Sequence, residues 1–165
     1  MNKKILLLIL FGFYNQILVF GQLNVTSNQF ISKSISSGSV IEAGMDFQEE
    51  IIFSSDEIIL SVAILPQNLD NVMYNAWQIQ VSKNDLDWHN DLVLWIRRTG
   101  DGKSDYNMRP QNGTYYQEVE LFNALFFEGQ GWISLIPIQL KLTGLSVTLP
   151  AKSYSTEIIF TLIDN

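Results

Sequence analysis

Residues Ile136–Gly144 read IPIQLKLTG. Ile136, Ile138, Leu140 and Leu142 alternate with Pro137, Gln139, Lys141 and Thr143. A period of two places the first set on one face of a strand and the second on the other. One face meets a core and one meets water, as in a half-covered antiparallel sheet.

The same period recurs on both sides of this stretch. In Asn75–Lys83, Trp77, Ile79 and Val81 share a face opposite Gln78, Gln80 and Ser82. Glu57–Leu65 and Glu157–Ile163 are apolar on both faces, which predicts central or core strands. Further strands are expected over 46–53, 92–98, 115–121 and 147–149. Clusters of Gly, Asn, Asp and Pro separate them: SSGS, PQNLDN, KNDLD, TGDG, PQNG and EGQG. Each supplies residues that accept positive φ or fix a turn. No stretch sustains a helical period, although 70–75 and 123–127 each have room for one short helical turn. With no repeat and no linker, the pattern predicts one domain at 22–165, an all-β antiparallel sandwich of about seven to nine strands.

The chain opens MNKKILLLILFGFYNQILVFGQ. Lys3 and Lys4 precede an apolar run from Ile5 to Val19, and small or β-branched residues stand before Gln22. This reads as a secretory signal peptide over 1–21. The apolar run is interrupted by Asn15 and Gln16, short of the roughly 20 residues a membrane span needs. No later segment is long and apolar enough to span. An exported chain without a membrane span follows as the expectation, destined for the periplasm, cell surface or medium.

The chain contains no cysteine. That excludes disulfides, thiol catalysis, a lipid-modified N-terminal cysteine and Cys-based metal sites. An exported domain of this kind is held by packing and hydrogen bonds, and a bacterial envelope protein is the expected class. The formal charge of −7 becomes −9 without Lys3 and Lys4. Such acidity argues against nucleic acid and against anionic lipid headgroups.

Four groups of residues are candidates for function. In LVLWIRRTGDGKSDY (92–106), Leu92, Leu94 and Ile96 share a face with Arg98, while Val93, Trp95 and Arg97 share the other. This predicts a strand through the middle of a sheet, with the arginines at its exit. Arg97 would stack on Trp95, Arg98 would run its stem along the core edge, and Asp101-Gly102 would close a tight turn. The run lacks the ligand spacing of a calcium loop and the Lys-Ser/Thr of a phosphate cradle. Its remaining functional role is an anion anchor made by Arg97 and Arg98.

In KNDLDWHND (83–91), Asp85, Asp87 and Asp91 are candidate metal ligands, and His89 is the one histidine. The structural alternative is a polar turn held by Asn and Asp. Trp88, Tyr115 and Tyr116 are candidate glycan-stacking rings, since a ring face suits the apolar face of a sugar. The sequons at Asn24 and Asn112 are read as chance matches. Leu23 and Val25 form a short alternating lead-in after the signal, followed by polar residues. No cofactor motif and no catalytic constellation is present, which predicts a non-enzyme.

Thr143–Asn165 contains an apolar Val147–Leu149, a turn at Pro150–Lys152, Tyr154, a Ser155-Thr156 pair and an alternating Ile158–Leu162. This resembles the closing strands of the spore coat protein U and chaperone–usher pilin group. The resemblance implies an immunoglobulin-like sandwich completed by an N-terminal strand from a neighbouring subunit. Leu23 and Val25 would then be the donor residues, and the partner a like or unlike subunit. The lead-in is shorter than the group's usual donor row. The Trp77, Trp88 and Trp95 region has no counterpart in the group, which leaves a separate family of secreted bacterial sandwiches as the other affiliation. The resulting expectation is a structural or adhesive subunit, with a polysaccharide-binding module as the alternative.

Overall fold

The computed structural model describes residues 21–27, 31–32, 50–64, 75–146 and 148–164. Among them are nine strands and no helix: β1 (Gly21–Ser27), β2 (Ile51–Ile52), β3 (Ile58–Ile64), β4 (Ala76–Asp87), β5 (Val93–Arg98), β6 (Gln117–Glu118), β7 (Ala124–Gln130), β8 (Ile133–Thr143) and β9 (Ser155–Asp164). The larger sheet runs β1-β3-β8-β5-β6, with β2 also paired to β8. The smaller runs β7-β4-β9. All pairings are antiparallel. The expected all-β sandwich is the observed fold.

The core lies where the alternation put it. Ile136, Ile138 and Leu140 face Ile58, Leu60 and Val62 of β3, Leu94 and Ile96 of β5, and Trp77, Ile79 and Val81 across the sandwich. Each large side chain removed from water contributes about 1.5–3 kcal/mol. The Trp77 ring is fully buried, and its indole N–H donates to the Gly131 carbonyl at 2.8 Å.

Two irregularities change the phase of the pattern. Leu60 pairs with Ile136 but Val62 pairs with Ile133, so β8 carries an extra residue between them. Leu135 occupies that bulge at φ 55°, and its N–H donates to Ser61 Oγ at 3.1 Å. As a result Ile133 and Ile136, three apart, both face inward. In β7, Ile79 pairs with Phe127 but Gln80 pairs with Leu125. Phe126 is the extra residue there, and both phenylalanines are buried.

Several sequence expectations are corrected. Residues 123–127 do not turn helically, because Ala124 onward forms β7. Lys83–Asp87 is no turn, because β4 continues through it, paired to the hydroxyl-rich start of β9. Thr148 and Leu149 form a turn rather than a strand, with Leu149 N–H donating to the Ser146 carbonyl at 3.1 Å. Strand β9 closes one side of the small sheet and is half-buried, not central. The expected strand at 46–53 is described only from residue 50, where Ile51–Ile52 is β2. The signal at 1–21, apart from Gly21, and the short turn at 70–75, apart from Asn75, fall outside the described residues.

Candidate functional site

Strand β5 positions its two arginines on opposite faces, as the alternation predicted. It lies between β8 and β6 in the large sheet. Arg98 points inward and is only 5% exposed. Its guanidinium does not run along the core edge. It sits under the loop that follows and donates to four groups of that loop. Nε binds the Asn112 carbonyl, Nη2 the Pro110 carbonyl at 2.9 Å, and Nη1 both the Gly100 carbonyl at 3.3 Å and Asp101 Oδ1 at 2.5 Å. A planar fork of five N–H donors suits this convergence of oxygens.

That loop is not a tight hairpin. After Thr99 the chain travels to Tyr116 before β6 begins. Gly102 has φ 75°, and a Cβ there would stand 2.4 Å from the Ser134 carbonyl oxygen. Only glycine lets the loop pass this close to β8. Lys103 and Ser134 then pair through their backbones, at 2.6 and 2.8 Å. Met108 packs on the core and Pro110 is buried.

Arg97 lies on the outer face. It stacks on Tyr116, with the guanidinium carbon 4.5 Å from the ring centroid, and not on Trp95. Trp95 instead lies under Lys141, at 5.2 Å. Gln139 organises this face. Its Oε1 accepts from Arg97 Nε at 2.9 Å, Arg97 Nη2 at 2.7 Å and the Tyr116 hydroxyl at 2.9 Å. Its amide donates to the Phe53 carbonyl at 2.9 Å. Lys141 is paired with Glu50 at 2.9 Å. A cleft of about 230 Å³ at the end of β5 is lined by Arg97, Arg98, Thr99, Gly100, Asp101 and Thr114. Arg98 is fully engaged by the loop, and Arg97 by Gln139 and Tyr116.

The acids of the 83–91 cluster are drawn to separate partners. Asp85 meets Lys83 at 3.1 Å and accepts from Thr156 Oγ1 at 2.8 Å. Asp87 is paired with Lys152. Asp91 Oδ2 stands 3.6 Å from His89 Nδ1, with the carboxylate exposed and the ring partly buried. Among the described residues no three His, Asp or Glu side chains come together in a way that could hold a metal ion. Of these acids, Asp85 alone makes a side-chain contact between β4 and β9, through Thr156.

The three candidate rings have different fates. Trp88 folds back against the core, donates to the Leu92 carbonyl at 2.8 Å and lies under Lys83. Tyr116 is held between Arg97 and Lys141. Tyr115 alone is open, at 87% exposure. Leu23 and Val25 lie on β1, opposite Val62 and Leu60 of β3. Leu23 packs on the core and Val25 is exposed.

Three further rings are open among the described residues: Phe122, at 65% exposure, Trp132, at 55%, and Tyr106, at 54%. Trp132 sits with Gly131 in the two-residue corner where the chain leaves β7 in the small sheet for β8 in the large one. The EGQG signal marked the turn but said nothing of the ring beside it. Compared with protein-family models, curated proteins and solved structures, the chain matches none.

Proposed function

We propose that the chain is an exported, non-catalytic structural or adhesive subunit that joins its neighbours by strand complementation, in the manner of a pilin-like protein. The observation that carries this reading is the place of β1. It is the outermost strand of the large sheet, paired along its whole length with β3, from Gly21 opposite Ile64 to Ser27 opposite Ile58. Leu23 contributes to the core from this edge position. Main-chain hydrogen bonds supply affinity in such an arrangement, and the inward side chain supplies register.

The connection from β1 to the next strand, β2, spans residues 28–50. Lengthening a connection lowers the effective concentration at which it holds its strand, which eases replacement by a neighbour's strand in a dense assembly. Removal of the signal would take Gly21 from β1 and leave residues 22–27 of the strand at the start of the mature chain. The strand would then be free to leave its own sheet and enter another.

Size-exclusion chromatography with light scattering tests this on residues 22–165 and 33–165, the latter with and without a 22–32 peptide. The expected result is oligomers of the longer form, and a shorter form that is unstable until the peptide is added. Two equally stable monomers would end the proposal.

A further inference from the structure

We infer that β9 is an edge for self-association: two copies of this chain pair β9 against β9, antiparallel about a two-fold axis, and join their small sheets into one. The pairing needs no exchange of β1, so it stands apart from strand complementation. Strand β9 is bound along its length to β4 and, among the described residues, to no strand on its other side. The edge of the large sheet, β1, comes near it, but the partner of β1 is β3. The direction of the polar groups follows from β4. Lys83 N–H donates to the Glu120 carbonyl at 2.7 Å, on the β7 side. Alternate residues turn their N–H and carbonyl to opposite sides, so Ser82 and Asn84 face β9. The Asn84 carbonyl accepts there from Thr156 Oγ1 at 3.1 Å. The partners of these two, Ile159 and Glu157, therefore turn their backbone groups to β4, and Ile158, Phe160 and Leu162 turn theirs to the open side. The side chains of those three pack on the core.

Long open edges are normally blunted by lysine, proline, a bulge or an inward charge. Strand β9 has ten residues, STEIIFTLID, with no Lys and no Pro. Its register with β4 is unbroken from Thr156 to Asp164. The Glu157 carboxylate is drawn toward β4, where it accepts from Asn84 Nδ2 at 3.0 Å. The other edges differ. Strand β6 has two residues. Strand β7 is bridged by the backbone pairing of Gln111 with Glu128, and its Leu125 carbonyl accepts from the Gln117 amide at 3.2 Å. Strand β1, seven residues long, is the edge that strand complementation uses.

A second copy fits this edge because the strand is complementary to itself. Centred on Phe160, an antiparallel pair sets Ile158 against Leu162, Ile159 against Thr161 and Glu157 against Ile163. Centred on Ile159, it sets Ile158 against Phe160 and Glu157 against Thr161. Both registers join the open N–H and carbonyl groups of the two strands, and neither opposes carboxylate to carboxylate in a chain of −7. In both, Ile159, 44% exposed on the outer face, meets a side chain of the second copy. A contact of one edge with itself closes at two copies, and the bridged β7 edge does not extend it. Strand pairing alone buries less than a standard interface, so the dimer is weak and depends on concentration.

Amide hydrogen exchange of the protein, read residue by residue by NMR at two concentrations about a hundredfold apart, tests the edge alongside light scattering. The expected result is a dimer at the higher concentration, with the amides of Ile158, Phe160 and Leu162 exchanging about tenfold or more slowly than in the monomer. The double change Ile159→Glu, Thr161→Glu sets carboxylates against each other in both registers. It should remove the dimer and the added protection while leaving the melting temperature little changed, since both side chains lie on the outer face. Three amides that exchange fast at both concentrations overturn the inference. So do amides already protected in the monomer, which would mean that another segment of the same chain covers the edge. An assembly built by β1 would raise the mass and leave these amides fast, which overturns this inference and not strand complementation.

Discussion

Arg97 and Arg98 are neighbours in sequence, yet they belong to different regions of the molecule. Arg98 serves the core side, where backbone carbonyls and Asp101 surround a buried cation. Arg97 serves the outer face, where one amide oxygen and a tyrosine ring receive a half-buried one. The difference teaches that residue type sets only what a side chain can bind. The face of the strand decides whether losing it leaves oxygens stranded away from water or returned to it.

The largest effect is expected on the core side. Arg98→Ala strands the Pro110 and Asn112 carbonyls and should cost about 3–5 kcal/mol in chemical denaturation. Arg98→Lys should recover little, because an ammonium cannot reach oxygens arranged around a fork. A loss below about 1 kcal/mol in either variant would erase the contrast between the two arginines.

On the outer face, Arg97→Met removes the stacking on Tyr116 but keeps an apolar stem. About 1 kcal/mol is expected, measured in the same way. A loss as large as that of Arg98→Ala would mean that the Gln139 network is as rigid as the carbonyl cage.

The smallest effect concerns a surface pair, Lys152 and Asp87. The Lys152 pKa is raised above its ordinary 10.5, chiefly by its hydrogen bond to Asp87. A raised folded value means that the pair stabilises the fold below the ordinary pKa. Its contribution disappears as pH rises through the raised value. Denaturation curves of wild type and Lys152→Met should therefore converge at strongly alkaline pH. A constant gap across the whole range would assign the lysine's effect to its stem and not to its charge.

The legible part of this fold is the part with unbroken alternation. Trp77, Ile79 and Val81, and Ile136, Ile138 and Leu140, lie where a period of two places them. Strand β7 was not legible, because a bulge sets Phe126 and Phe127 inward side by side and cancels the period. The end of β4 was misread because Asn84, Asp85 and Asp87 are turn formers by local propensity. Here partners on β9, Thr156 and Glu157 among them, satisfy them across the sheet. The candidate site was legible to the extent that the face of each arginine was right. The cage around Arg98 was not, since its partners are carbonyls, which carry no residue identity to read. Trp132 was hidden for a similar reason: only the crossing between sheets, fixed by distant pairings, leaves its ring in solvent.

Strand pairing also governs the order in which the molecule can be made. Trp77 lies opposite Asp164, and Ile58 opposite Ile138. Strand β4 lacks one of its two neighbours until the last strand has been synthesised, and β3 waits for β8. Sheets closed by such distant segments fold slowly, because chain entropy is lost before the contacts that repay it can form. A growing chain of this design stays unfinished, with its β4 edge unpaired, until residues 155–164 have been added.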